Sequence, residues 1–262
     1  MVANHPLVAH GAMTDDRFAE NAIKDYILKM RNFDHPNPED IFLDKTEQAQ
    51  MHAVVNRLKR IQHTVGYGNF HLIGFDQAIK ISKDYSKVGC FSKAELDFMD
   101  SIFHRNAADY GFLDKKPLSG LTENIDIDRA IKIHGTGNFL YKGAPLETYQ
   151  KIKADLGDKV ILTSGIRGVV KQFLLFLNKT KRSQSNLSLA SRSLAPPGYS
   201  FHSLGDFDVG QVNFGVENFT NRFTTSEVYR NLIDFGYANL RYKRDNMLGV
   251  RFEPWHIKLN TV

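Results

Sequence analysis

The chain has 262 residues, a mass of 29.8 kDa, 42% hydrophobic and 24% charged residues. That composition excludes a disordered or fibrous chain, and the length suffices for one large domain or two small ones with a core that needs no metal or disulfide staple. A formal charge of +5 is a mild excess, weak support for a nucleic-acid partner and equally suited to another anionic polymer. The single cysteine, Cys90, excludes an internal disulfide framework and a cysteine-rich zinc finger. No apolar run reaches the roughly 18 residues a membrane span needs.

Residues Met1 to Met13 contain no apolar h-region of a secretory signal, which leaves open a cytoplasmic protein or a mature chain with a new start Met. Thr14 is a plausible cap for a helix to about Met30, with Phe18, Ala22, Ile23, Tyr26 and Ile27 on one stripe, and Pro36 and Pro38 punctuate its exit. A second helix is expected from about Lys45 to Thr64, followed by a glycine-rich loop from Val65 to Phe75. Ser92 and Glu95 form a capping box for a helix to about Ala108. The apolar faces of these helices read as core.

The second half changes character. A helix from about Leu146 to Leu156 ends at Gly157, and Lys159 to Thr163 reads as a buried strand. Another helix is expected from Gly168 to Lys179, and the polar stretch from Thr180 to Ser193 as a loop. Pro196-Pro197-Gly198 is a break. Short strands are expected near Tyr199–Phe201, Phe207–Gly210, Tyr237–Tyr242 and Val250–His256, with a helix from Thr225 to Phe235 and a turn from Asp245 to Gly249. There is no internal repeat. A helical front of residues 1–140 and a mixed back of residues 141–262 predict an α+β fold: a small, mostly antiparallel sheet with flanking helices.

Of ten histidines, two have informative neighbours. His202 lies in Ser200-Phe-His202-Ser-Leu-Gly205-Asp206-Phe-Asp208, an imidazole and carboxylates across a glycine turn. His256 follows Glu253 by three residues in Glu253-Pro-Trp-His256. Two histidines and an aspartate leave zinc an open fourth position, and a further carboxylate can take a proton from water there. On spacing alone an equal alternative stands, in which Asp206 and Asp208 are turn residues and Glu253 is a surface charge. Gly66-Tyr-Gly68 and His134-Gly-Thr-Gly137 lack the full spacing of a phosphate loop. The basic run Lys179-Thr-Lys-Arg182, with Arg192, reads as a solvated loop that borders the Ser200 motif rather than a nucleic-acid patch.

The segments Ser164-Gly-Ile-Arg167, Gln172, Ser200-Phe-His202-Ser-Leu-Gly205, Asp208 and Glu253-Pro-Trp-His256 resemble, in that order, the motifs of VanY-type D-alanyl-D-alanine carboxypeptidases of the LAS family of zinc peptidases. The resemblance covers residues 159 to 259 and does not extend to the first 140 or so. It implies an LAS/hedgehog-like peptidase fold and one Zn2+ per chain held by His202, Asp208 and His256. Glu253 becomes the catalytic base and then acid, and Arg167 a catalytic group that also holds substrate. Ser200 and Gln172 join Arg167 as substrate-binding residues, and Tyr199 and Tyr242 are candidates for the pocket wall. Trp255 would pack beneath the metal loop or border the cleft. The family places its aspartate seven residues after the histidine, where this chain has Val209, so Asp208, at six, requires a turn shortened by one residue, and Asp206 remains a rival ligand.

The implied substrate is the peptidoglycan stem peptide, with the terminal D-alanine released. L,D-carboxypeptidase or endopeptidase action on the same site, and a non-catalytic cell-wall binding module, are the alternatives. This implies a periplasmic or cell-envelope location, with a signal peptide already removed, and a cell-wall rather than nucleic-acid partner for the net charge.

Overall fold

The structure is a computed structural model and describes residues 23–259. The predicted Thr14 cap lies outside them; residues 23–31 are helical and form α1. Asp44 and Glu47 form a reciprocal capping box that opens α2 (Lys45–Val65). After a 3-10 turn (Asn69–Leu72) comes α3 (Phe75–Asp84), a helix the sequence reading did not anticipate. The Ser92–Glu95 box opens α4 (Lys93–His104), which stops four residues short of expectation because Asn106 caps a separate 3-10 turn (Ala107–Tyr110).

Strands β1 (Ala130–Lys132) and β2 (Phe139–Tyr141) form an antiparallel hairpin. Its loop holds Gly135 and Gly137 at φ 75° and 71°, so His134-Gly-Thr-Gly137 is hairpin chemistry rather than a phosphate cradle. Helix α5 (Ala144–Leu156) leads to β3 (Val160–Ser164), and α6 (Val169–Arg182) follows. Strands β3, β4 (Phe207–Gln211) and β5 (His256–Ile257) build an antiparallel sheet in the order β3-β4-β5, and α8 (Glu227–Asp234) begins at a Ser226 cap. The architecture is α+β.

Two sets of apolar side chains form the main core. One joins Met51, Leu58 and Ile61 of α2, Met99 and Phe103 of α4, and Val169, Phe173, Phe176 and Leu177 of α6, so front and back halves share a single interior. The other sets Tyr149 and Ile152 of α5 and Val228 and Leu232 of α8 against Leu162, Phe207, Val209 and Ile257 of the sheet.

Three expectations need correction. Thr180 to Ser193 is not a solvated loop: α6 continues to Arg182, Gln184 and Ser185 take positive φ, and a short helix α7 (Leu187–Ser191) follows. Its polar residues Asn186, Ser188 and Arg192 are buried because the segment before α2 satisfies them. Asn186 donates to Asp40 and caps Leu189, and Ser188 Oγ accepts from Ile41 N at 3.0 Å. Arg192, 2% exposed, pairs with Asp40 and donates to the His35 carbonyl. The Tyr199–Phe201 strand is instead a loop entering a 3-10 turn (Phe201–Ser203), with Tyr199 in the first core. The two strands expected after Gly236 shrink to β5 and an isolated Leu240–Ile257 bridge, because the backbone of the last segment is drawn elsewhere: Glu253 N donates to Tyr242 O and Arg251 N to Arg192 O.

The Asp40–Arg192 pair clamps the connection between α1 and α2 to α7. Removing one partner leaves a buried uncompensated charge, so Asp40→Ala should lower unfolding free energy by about 3–5 kcal/mol. Breaking the exposed Lys93–Asp97 pair by Asp97→Ala should cost under about 1 kcal/mol. Denaturant titration of both variants checks the contrast.

Candidate metal centre

Strand parity selects the side chains of the site. Along β4, Phe207 and Val209 enter the second core, so Asp208 between them faces the opposite side. An acid at position 209 would lie in the apolar interior. Asp208 pairs across the sheet with His256 of β5 and with Ser164 of β3, where a register shift between Leu162 and Ser164 turns the end of β3 toward the site. His202 arrives from the 3-10 turn beside them.

Each imidazole is oriented by a contact on its far nitrogen. His202 Nδ1 donates to the Gly165 carbonyl at 2.8 Å, which leaves Nε2 as the nitrogen with a free lone pair. His256 Nε2 donates to Asp206 at 3.0 Å, which leaves Nδ1. His202 Nε2 lies 3.3 Å and His256 Nδ1 3.5 Å from the same oxygen, Asp208 Oδ1. The three donor atoms all fall within 4.8 Å of one another. Asp208 Oδ1 is buried and has no hydrogen-bond partner among the described residues. Bonds of about 2.0–2.2 Å to a tetrahedral ion put its ligands about 3.3–3.5 Å apart, so the two histidine–aspartate separations fit such an ion. The donor set, two imidazoles and a carboxylate, suits zinc.

Asp206 stands outside this set. Its oxygens accept from Arg241, from His256 Nε2 and from Leu259 N. Burial opposes its charge, but the His256 contact and Arg241 outweigh this and hold its pKa down to about 2. It therefore fixes the tautomer and tilt of His256, the part a carboxylate plays behind a metal-binding histidine. Burial likewise disfavours protonation of His256, yet hydrogen bonds to Asp206 and Glu253 and the nearby charge of Asp208 lift its pKa to about 9. A positive charge is thus favoured where these carboxylates meet. His202 is shifted the other way, first by burial and then by Arg167.

Glu253 is 8% exposed, and its Oε2 is 3.4 Å from His256 Nδ1, beside the three donors. Arg167, on the loop after β3, donates to Ser164 Oγ at 2.9 Å and to Ser200 Oγ at 3.5 Å, and lies 3.5 Å from Asp208 Oδ2. Its Nε has no partner among the described residues. Ser200 reaches the cleft as expected, whereas Gln172 does not. Gln172 is 1% exposed, and both ends of its amide serve the backbone, donating to Arg167 O at 2.9 Å and accepting from Gly198 N at 2.8 Å. The structure places it behind Arg167 as a brace rather than on the substrate side.

The centre opens into a cleft of ≈ 680 Å³. Tyr242 lines it and stacks edge-on to His256 at 5.4 Å, whereas Tyr199 lies in the core. Trp255 does both, bordering the cleft while its ring meets Phe219. Sequence reasoning did not single out His71, Thr136 and Asn138, which the front half contributes to the wall. His71 is also fixed by its backbone, because its carbonyl accepts from Gly168 N at 2.7 Å. No local pattern marks these three: His71 is held here by the start of α6, and Thr136 and Asn138 arrive with the β1–β2 hairpin, which docks on β3 through Asn138 Nδ2 donating to Leu162 O at 3.3 Å.

Comparison with known proteins gives three kinds of finding. Residues 144–261 match the family model of VanY, D-alanyl-D-alanine carboxypeptidase. A search of curated proteins by sequence returns no match. Among solved structures, the chain is similar to a VanY D,D-pentapeptidase variant from a VanB-type vancomycin-resistance cassette in complex with Zn(II), at 23% identity and a TM-score of 0.42, over 56% of this chain and 86% of that one. VanYB in complex with D-alanine-D-alanine is similar at 20% identity and a TM-score of 0.41, over 56% and 83%. The LdcB LD-carboxypeptidase is similar at 21% identity and a TM-score of 0.39, over 56% and 65%. The span matched by the family model contains the His202, Asp208 and Glu253-Pro-Trp-His256 motifs, and over those residues the chain is similar to VanY, D-alanyl-D-alanine carboxypeptidase.

Proposed function

We propose that this protein is a zinc-dependent D,D-carboxypeptidase that removes the terminal D-alanine from peptidoglycan stem peptides in the cell envelope. The observation that carries the reading is the convergence of His202 Nε2, Asp208 Oδ1 and His256 Nδ1 on one point, with Glu253 beside them.

His202, Asp208 and His256 would hold the ion. Zinc held there supplies Lewis acidity, which polarises a carbonyl and makes water acidic enough to ionise near neutral pH. Glu253 accepts the proton of the attacking water and delivers it to the leaving amine, one carboxylate serving both steps because both occur at the same edge of the centre. Arg167 offers the substrate carbonyl a guanidinium whose direction is set by Ser164, Ser200 and Asp208, so little reorganisation is needed as negative charge develops on that oxygen. Gln172 holds the Arg167 backbone in place. Asp206 and the Gly165 carbonyl keep the two imidazoles presenting the correct nitrogens.

Zinc-loaded protein incubated with defined muropeptides should convert pentapeptide to tetrapeptide plus D-alanine, read by mass spectrometry. Conversion of tetrapeptide to tripeptide, or cleavage of cross-linked dimers, would instead assign L,D-carboxypeptidase or endopeptidase action. Glu253→Gln should keep its zinc and lose about 10²–10⁴-fold in kcat. Asp208→Ala should fail to retain stoichiometric zinc, whereas Asp206→Asn should weaken zinc affinity only about 10–100-fold. Competition against a chromophoric chelator measures both, and equal losses at the two positions would contradict the assignment of Asp208 as ligand.

A further inference from the structure

Apart from Asp208 and Glu253 at the metal centre and the Tyr242 phenol, the ionisable side chains lining the cleft are cationic or imidazole. Helix α6 leads away from Arg167 and presents Lys171, Leu175, Lys179 and Arg182 to the cleft, at the four- and three-residue steps that share one helical face. Arg251 comes up beside them from the final segment. The side chains of Lys171, Lys179 and Arg182 form no ion pair with any described residue. Lys179 feels Arg251 and Arg182 as repelling neighbours, after burial, and Asp34 as the attracting one. Asp34 is exposed and already bonded to His35 at 2.9 Å. Lys171 is held down to about 8 by burial and by Arg167. The row is a set of unneutralised cations against a cleft wall, the arrangement that an anionic ligand relieves.

We propose that the outer part of this row, Lys179 and Arg182 with Arg251, reads an acidic side chain on the acyl side of a peptide substrate, three to five residues before the scissile bond. The argument rests on the carboxypeptidase reading, because that activity leaves a single residue beyond the bond, spanning only about 3.5 Å. From the start of α6 beside Arg167, Lys179 is about 15 Å and Arg182 about 20 Å along the helix at 1.5 Å per residue. The leaving residue cannot reach that far, so the chain that passes these cations is the acyl part. An extended peptide covers the distance in about four to six residues, shortened by the reach of the side chains. Leu175 gives the intervening residues an apolar contact. The basic run from Lys179 to Arg182 thereby gains a use in selecting substrate.

The test uses four synthetic peptides that end in D-alanyl-D-alanine. Three carry one glutamate at the third, fourth or fifth residue before the scissile bond, and the fourth has glutamine at all three. Binding to zinc-loaded Glu253→Gln protein is measured by calorimetry, so turnover does not enter. At least one glutamate peptide should bind about tenfold tighter than the glutamine peptide. The advantage should shrink as salt rises and vanish in a protein that also carries Lys179→Gln and Arg182→Gln. Equal affinity for all four peptides, or an advantage that survives the double substitution, overturns the proposal. Release of D-alanine by wild-type protein is scored separately. Its absence from every peptide counts against the carboxypeptidase reading, while the binding comparison still decides the role of the row.

Discussion

The site depends on the register of one short strand. β4 runs between β3 and β5, and its Phe207 and Val209 face an apolar interior while Asp208 between them faces the cleft. With Phe207 and Val209 committed to the core, Asp208 is delivered opposite His256 and next to the end of β3. A slip of one residue would bury the carboxylate among Leu162, Ile257 and Tyr149 and expose two large apolar side chains. The hydrophobic core behind the sheet is therefore what positions the metal donors in front of it.

The same economy governs the surrounding contacts. Gly165 belongs to the turn that carries Arg167, and its carbonyl orients His202; a β-carbon there would run into the Phe139 carbonyl of β2, so close backbone approach demands glycine. Gln172 joins that turn to Gly198, just before the loop bearing Ser200 and His202. Asp206 ties His256, Arg241 and the backbone of Leu259 together. Donors from three separated parts of the sequence are thus coupled through buried polar contacts, each of which is costly to leave unmade. The front helices supply the foundation, since α6 packs one face against α2 and turns the other to the cleft.

Much of this was legible in the sequence. The capping box at Ser92, the amphipathic face of α2 and the apolar strand before Ser164 follow local rules, whereas the histidine and carboxylate spacings left an equal alternative and only the family resemblance singled out the metal donors. What stayed hidden depends on distant partners. Asn186, Ser188 and Arg192 look like loop residues until Asp40 and Ile41 are seen to satisfy them. The choice between Asp206 and Asp208 turns on the path of the chain around Gly205, at φ 122°, which spacing alone does not reveal. Gln172 carries a motif position yet faces the backbone, and His71 enters the cleft from a turn that no motif marks.

X-ray absorption at the zinc edge, on protein loaded with one equivalent of the metal, tests the central claim most directly. The account predicts one tightly held ion with two imidazole nitrogens and a carboxylate oxygen at about 2.0–2.2 Å and low coordination number. A spectrum lacking the multiple scattering of two imidazoles, or one matching hydrated zinc in solution, would contradict it.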